Sequence, residues 1–144
     1  MKILICGLPG SGKTTLAEKL TAEVSKNYPV EWVNADELRQ QTGDWDFSPA
    51  GRLRQAQRMR VIAHAAESQN IVAICDFVCP TQALRKEFDA DLVIWMDTVQ
   101  TSNYEDTNQI FEPLTKEEYD FRITSWDDVD QWSQTLADLI WILE

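Results

Sequence analysis

The sequence predicts an α/β protein, a three-layer α/β/α sandwich built on a mainly parallel sheet. Three observations carry that expectation. Short β-rich runs alternate with stretches of helical periodicity along the chain. The runs IVAIC (Ile71 to Cys75) and DLVIWM (Asp91 to Met96) are almost continuously apolar, as strands covered on both faces are. A glycine-rich stretch follows KILIC (Lys2 to Cys6) directly and opens a helix, as a strand feeding a crossover would.

KILIC (Lys2 to Cys6) is the first strand, and a helix from about Lys13 to Ser25 follows the glycine-rich loop. VEWVN (Val30 to Asn34) is the second strand, with a short helix after it through Leu38. Ser48-Pro49 supplies an N-cap and a first-turn proline for a helix that runs to about Ser68. Leu53, Ala56, Ile62, Ala63 and Ala66 are expected to line much of its core face. Ile71 to Cys75 is the third strand, Pro80 to Phe88 a short helix, and Asp91 to Met96 the fourth strand. YDFRIT near Phe121 is a weaker strand candidate, and Asp127 to Leu143 makes a last amphipathic helix. In such sheets ligands bind at the carboxyl ends of the strands.

A chain of 144 residues, 44% apolar and 26% charged, is expected to form one globular domain over residues 1–144. No stretch approaches the roughly 20 apolar residues of a membrane span. MKILICG already reads as a strand entering a loop, which leaves no room for a cleavable signal peptide. Cys6 and Cys75 fall inside apolar runs and read as buried free thiols, so a reducing, cytoplasmic setting fits. With 24 acidic against 13 basic residues, the net charge of −11 argues against a nucleic-acid duplex as partner. Beyond Lys86 the only cations are Lys116 and Arg122.

Gly7-Leu8-Pro9-Gly10-Ser11-Gly12-Lys13-Thr14 fits the phosphate-loop pattern G-x-x-x-x-G-K-[ST] without a mismatch, between a strand and a helix. Glycines let backbone N–H groups curl around phosphate oxygens, and the helix N-terminus adds partial positive charge. Lys13 is expected to reach the β- and γ-phosphates, Thr14 to take one position on Mg²⁺, and Thr15 to complete the ATP site. The fold is then that of a P-loop NTPase. No N-K-x-D or D-x-x-G accompanies the loop, which argues against a GTPase, and the small domain points to a small-molecule kinase. Asp76 ends a strand as a Walker B aspartate does and is the second metal candidate. Asp36, after the second strand, is placed to take the acceptor's proton; capping the helix ELRQQ is its alternative use.

NADELR (Asn34 to Arg39), FSPAGRLRQAQR (Phe47 to Arg58) and FVCP (Phe77 to Pro80) resemble the adenylylsulfate kinase family. There a phosphate loop is followed by D-G-D-x-[IVL]-R, F-S-x-x-D-R-x-x-N and F-[IV]-S-P, and the order and spacing match over the first ninety or so residues. The resemblance implies transfer of the ATP γ-phosphate to the 3′-hydroxyl of adenylyl sulfate. It gives Asp36 the place near that hydroxyl, and Arg39, Arg52 and Gln55 the acceptor's phosphosulfate. Phe47 takes the acceptor's adenine, with Val78 and Cys79 as pocket wall.

Five positions depart from the family pattern: Asn34 and Ala35 replace Asp and Gly, Gly51 replaces Asp, Gln55 replaces Asn, and Cys79 replaces Ser. With no base nearby, Cys79 reads as wall rather than nucleophile. The lid-like segment Thr98 to Tyr119 is short and acidic with one lysine, Lys116; Tyr104, Ile110 and Phe111 are expected to dock it. It should otherwise be the most mobile part of the unliganded protein. Arg52 reads as an anion ligand, whereas Arg54, Arg58 and Arg60 read as solvated or locally paired. His64 reads as packed or surface, Trp126, Trp132 and Trp141 as mostly core, with Trp126 also near the adenine of ATP.

These features together predict an ATP- and Mg²⁺-dependent kinase with Lys13 and Asp36 as its catalytic groups. The acceptor is adenylyl sulfate or a related nucleotide, no membrane is involved, and a homodimer is left open. The alternatives are a kinase of another small phosphorylated or nucleotide acceptor, and a nucleotide-binding protein without transferase activity.

Overall fold

A computed structural model describes all residues, Met1–Glu144. Five parallel strands form one sheet: β1 (Lys2–Cys6), β2 (Val30–Asn34), β3 (Val72–Asp76), β4 (Leu92–Met96) and β5 (Phe121–Ile123), in the order β2-β3-β1-β4-β5. Six helices connect them: α1 (Lys13–Val24), α2 (Ala35–Thr42), α3 (Pro49–Ser68), α4 (Gln82–Phe88), α5 (Glu105–Ile110) and α6 (Val129–Leu143).

The two-residue period of β1 divides the core. Ile3 and Ile5 face Leu16 and Leu20 of α1 and Leu136 and Ile140 of α6. Leu4 and Cys6 face the other way, toward Ala56, Met59 and Ala63 of α3 and Phe88 of α4. Both faces of β1 and β3 are therefore buried, as their uninterrupted apolar sequences require.

Side-chain caps start three helices. Ser48 Oγ accepts from Gly51 N, Thr81 Oγ1 from Leu84 N, and Asn34 Oδ1 from Glu37 N. The capping residue of α2 is thus Asn34, and Asp36 lies inside the helix; capping is not its use. α2 also runs past Leu38 to Thr42, because the first residue able to stop it is Gly43, in the left-handed region at φ 69. Thr81 starts α4 after Pro80, so the proline lies outside the helix.

Two packing expectations fail. Leu53 is exposed, because the buried stripe of α3 runs through Arg52, Ala56, Met59, Ala63 and Ala66 and leaves it on the flank. Trp141 and Trp126 are also exposed, while Trp132 packs against Phe121 beside the core. His64 is a surface residue, 3.8 Å from Glu67. Cys6, Cys75 and Cys79 are all buried free thiols.

Candidate active site

The carboxyl ends of β1, β2 and β3 open onto one cavity of about 780 Å³. The phosphate loop lines one end. Gly7 lies at φ 150 under the Met96 carbonyl and Gly12 at φ 103 under the Trp126 ring; a Cβ at either would overlap its neighbour. No side chain caps α1, so its first N–H groups remain free for an anion. Lys13 is half-buried with its Nζ donating to Leu8 O at 2.9 Å. Burial lowers its pKa to about 8, against the opposing pull of Asp76, Cys6 and Asp36. The Thr98 hydroxyl, just past the carboxyl end of the neighbouring strand β4, donates to Ser11 O at 2.6 Å and braces the loop.

Across β2 and β3, Asn34 and Asp76 are partners in register. Asn34 Nδ2 donates to Asp76 Oδ1 at 2.9 Å and lies 3.4 Å from Thr14 Oγ1. One amide therefore joins the α2 N-terminus, the β3 carboxylate and the phosphate-loop threonine. Asp76 is 2% exposed, and its Oδ2 has no partner. Burial raises its pKa to about 6, opposed by the nearby Thr14 hydroxyl, the Asn34 amide and the charge of Lys13.

The opposite end is built from α2, α3 and the loop between them. Arg39 is 4% exposed, and its Nη1 donates to Asp44 O at 2.9 Å and Asp46 O at 3.2 Å. Arg52 Nε donates to Phe47 O at 2.9 Å and Nη2 to Thr107 Oγ1 at 3.2 Å. Both guanidiniums face the Phe47 ring, 4.3 and 5.4 Å from its centroid, which holds the aromatic at the cavity edge. Gln55 Nε2 donates to Ala35 O at 2.9 Å, fastening α3 to α2. Asp36 is exposed to the cavity, and Val78 and Cys79 line its wall. Burial pushes the Cys79 thiol well above its usual pKa, so it is no nucleophile at neutral pH.

All the residues singled out at both ends therefore converge, save that Gly7, Leu8 and Ser11 are the buried members of the phosphate loop and do not reach the cavity surface. The remaining arginines of α3 do not join them. Arg54 pairs with Asp44 at 3.2 Å and Asp46 at 2.8 Å, and Arg58 pairs with Asp44 at 2.8 Å. Arg122 pairs with Asp97 outside the cavity.

Sequence reasoning missed Asn34, Trp45 and Tyr104. Trp45 and Tyr104 are large aromatics in loops that line the cavity while still largely exposed, a combination the loop sequence alone hinted at. Asn34 had one signal, its position at a strand end in register with the carboxylate that ends the next strand in sequence, which required the sheet order to see.

The segment from Thr98 to Tyr119 docks differently from expectation. Thr107 and Leu114 are its buried anchors and Phe111 packs beside the core, whereas Tyr104 is 61% and Ile110 40% exposed. Tyr104 caps and Ile110 ends a helix of six residues, too short to bury more than one face.

A family model described as adenylylsulphate kinase matches residues 1–101. A probable adenylyl-sulfate kinase of Aeropyrum pernix is 35% identical over 85 residues, 58% of this chain but only 46% of that protein. Among solved structures, the Mycobacterium tuberculosis APS kinase CysC in complex with AMPPNP and APS has a TM-score of 0.78 at 19% identity, covering 96% of both chains. Shikimate kinase from Acinetobacter baumannii in complex with shikimate has a TM-score of 0.61 at 22% identity, covering 99% of this chain and 94% of that one. At these identities the two structures speak for the fold, a P-loop kinase sandwich.

Proposed function

The chain belongs to the adenylylsulphate kinase family, whose model matches residues 1–101, and on that premise we propose that it transfers the ATP γ-phosphate to the 3′-hydroxyl of adenylyl sulfate. The observation that carries the reading is the single cavity with a phosphate loop at one end and two arginines around an aromatic ring at the other.

In this reading the phosphate-loop amides and Lys13 hold the ATP phosphates. The acceptor oxygen forms a bond to the γ-phosphorus as the bond from that phosphorus to the β–γ bridging oxygen breaks. ADP leaves with the electron pair, and Asp36 receives the hydroxyl proton. Arg39 and Arg52 hold the acceptor's anionic group through the donors they do not spend on backbone carbonyls, and Phe47 supports its base.

Thr14 and Asp76 suit a Mg²⁺ ion arriving with the nucleotide: both offer hard oxygen donors, and Asp76 Oδ2 is buried and unpartnered. Bound there, the ion would neutralise charge on the phosphate oxygens.

The test is transfer of labelled γ-phosphate from ATP to adenylyl sulfate in a single turnover. Label on the 3′-position is expected. An ATP analogue that binds while no label reaches adenylyl sulfate would refute the acceptor. Arg52→Ala should raise the acceptor KM about ten- to a hundredfold, the worth of a charge-assisted bond, without changing ATP affinity measured alone.

A further inference from the structure

The arginine that faces the acceptor end of the cavity already has an anion beside it. Asp106 Oδ2 lies 3.9 Å from Arg52 Nη2, and the neighbouring Thr107 hydroxyl accepts from the same nitrogen at 3.2 Å. Arg52 is 9% exposed, whereas the Asp106 side chain is 74% exposed, so the cation is fixed and the carboxylate is the movable partner.

The architecture around Asp106 suits displacement. Both ends of its segment are fastened. Thr98 donates to Ser11 O, while Glu112 N donates to Pro80 O at 2.7 Å and Arg85 Nη2 to Glu112 O at 3.0 Å. Between those ends the arm is compact in itself, with Asn108 Oδ1 taking both Ser102 N and Ser102 Oγ and Asn108 Nδ2 donating to Ser102 O. Its middle rests on the cavity chiefly through Thr107, and the exposed Tyr104 and Ile110 lose little burial if it lifts.

We propose that Asp106 is an internal competitor for the Arg52 anion site: it neutralises that arginine in the free protein and is displaced by the acceptor's anionic group. This rests on the acceptor reading above and adds to it. An anion entering beside Arg52 must either push the arm outward or accept a carboxylate next to it. Asp106 therefore weakens the binding of anions beside Arg52 in proportion to their charge.

The experiment uses the whole chain and two probes, inorganic sulfate and adenylyl sulfate, titrated calorimetrically at low salt. Asp106→Asn should bind both about two- to fivefold more tightly, the range for a partly exposed ion pair. Asp106→Arg should tighten both further, and Glu117→Gln, which removes a charge elsewhere in the segment, should change neither. Unchanged or weaker binding of both probes by Asp106→Asn would overturn the proposal. Titration of the ATP analogue AMPPNP keeps the two ideas apart. Tighter sulfate in Asp106→Asn supports the competitor even if adenylyl sulfate receives no phosphate, whereas AMPPNP affinity should not move in any variant.

Discussion

Lys13 is the residue on which nucleotide binding depends most directly. Its ammonium is held in the phosphate loop by one carbonyl and is already disfavoured there by burial. Arriving phosphate oxygens supply the counter-charge that is missing. Lys13→Ala should leave the fold intact, as judged by circular dichroism, and abolish measurable ATP binding. Asp76 sets a second, pH-dependent effect. Its folded pKa of about 6 lies above the ordinary value of 3.8, so between those values the folded state holds more protons than the unfolded chain. Stability of the unliganded protein should therefore fall as pH rises from about 4 to about 6, by at most about 3 kcal/mol. Asp76→Asn should remove that slope in urea titrations. Lys13 acts in a separate window with the opposite sign: its lowered pKa adds stability as pH rises from about 8 toward 10.5.

At the scale of elements, Arg85 joins α4, the β3–α4 loop and the return limb of the lid-like segment. It donates to Cys79 O at 3.0 Å, Glu112 O at 3.0 Å and Glu118 Oε1 at 2.8 Å, and it is buried. These bonds hold Cys79 at φ 44, a conformation its side chain resists, and so shape the cavity wall. Arg85→Ala strands Glu118 and two carbonyls and should cost about 3–5 kcal/mol in denaturant unfolding. The same bonds divide the segment. Amides from Thr101 to Ile110 should exchange fast in the free protein, and those of Glu112, Thr115 and Glu118, which have acceptors, more slowly; equal exchange in both sets would contradict the clamp. The loop before α3 is a comparable unit. Hydrogen bonds from Arg54 and Arg58 hold the Asp44 carboxyl well below the usual carboxylate range, so these pairs persist to low pH and the loop should be among the last surface features to loosen in acid.

For the whole molecule, ligand linkage gives the broadest test. A nucleotide analogue at about 100 times its dissociation constant stabilises the folded state by about 2.7 kcal/mol. In a chain of this size that raises Tm by on the order of 8 °C. The wild type with AMPPNP and Mg²⁺ should show such a shift in differential scanning calorimetry, and Lys13→Ala should show none. No helix is long and apolar enough to cross a membrane.

By itself the sequence determined the strands, most helix starts and the phosphate loop, because each of these is written within a few neighbouring residues. The apolar run in KILIC, the Ser48-Pro49 start of α3 and the glycines around Lys13 are local chemistry, and local chemistry survives folding. The convergence of Arg39, Phe47 and Arg52 on one cavity was also legible, through resemblance and helix spacing. What only the tertiary structure decided are relations between distant segments. Asn34 meets Asp76 because β2 and β3 are neighbours in register. Arg54 and Arg58 meet Asp44 because the loop before α3 folds back along it, and Arg52 meets Asp106 because both ends of an acidic arm are tied down. A charge in a sequence has no partner until the chain is closed into a shape, since a Coulomb pair depends on a separation of a few ångströms that no spacing along the chain specifies.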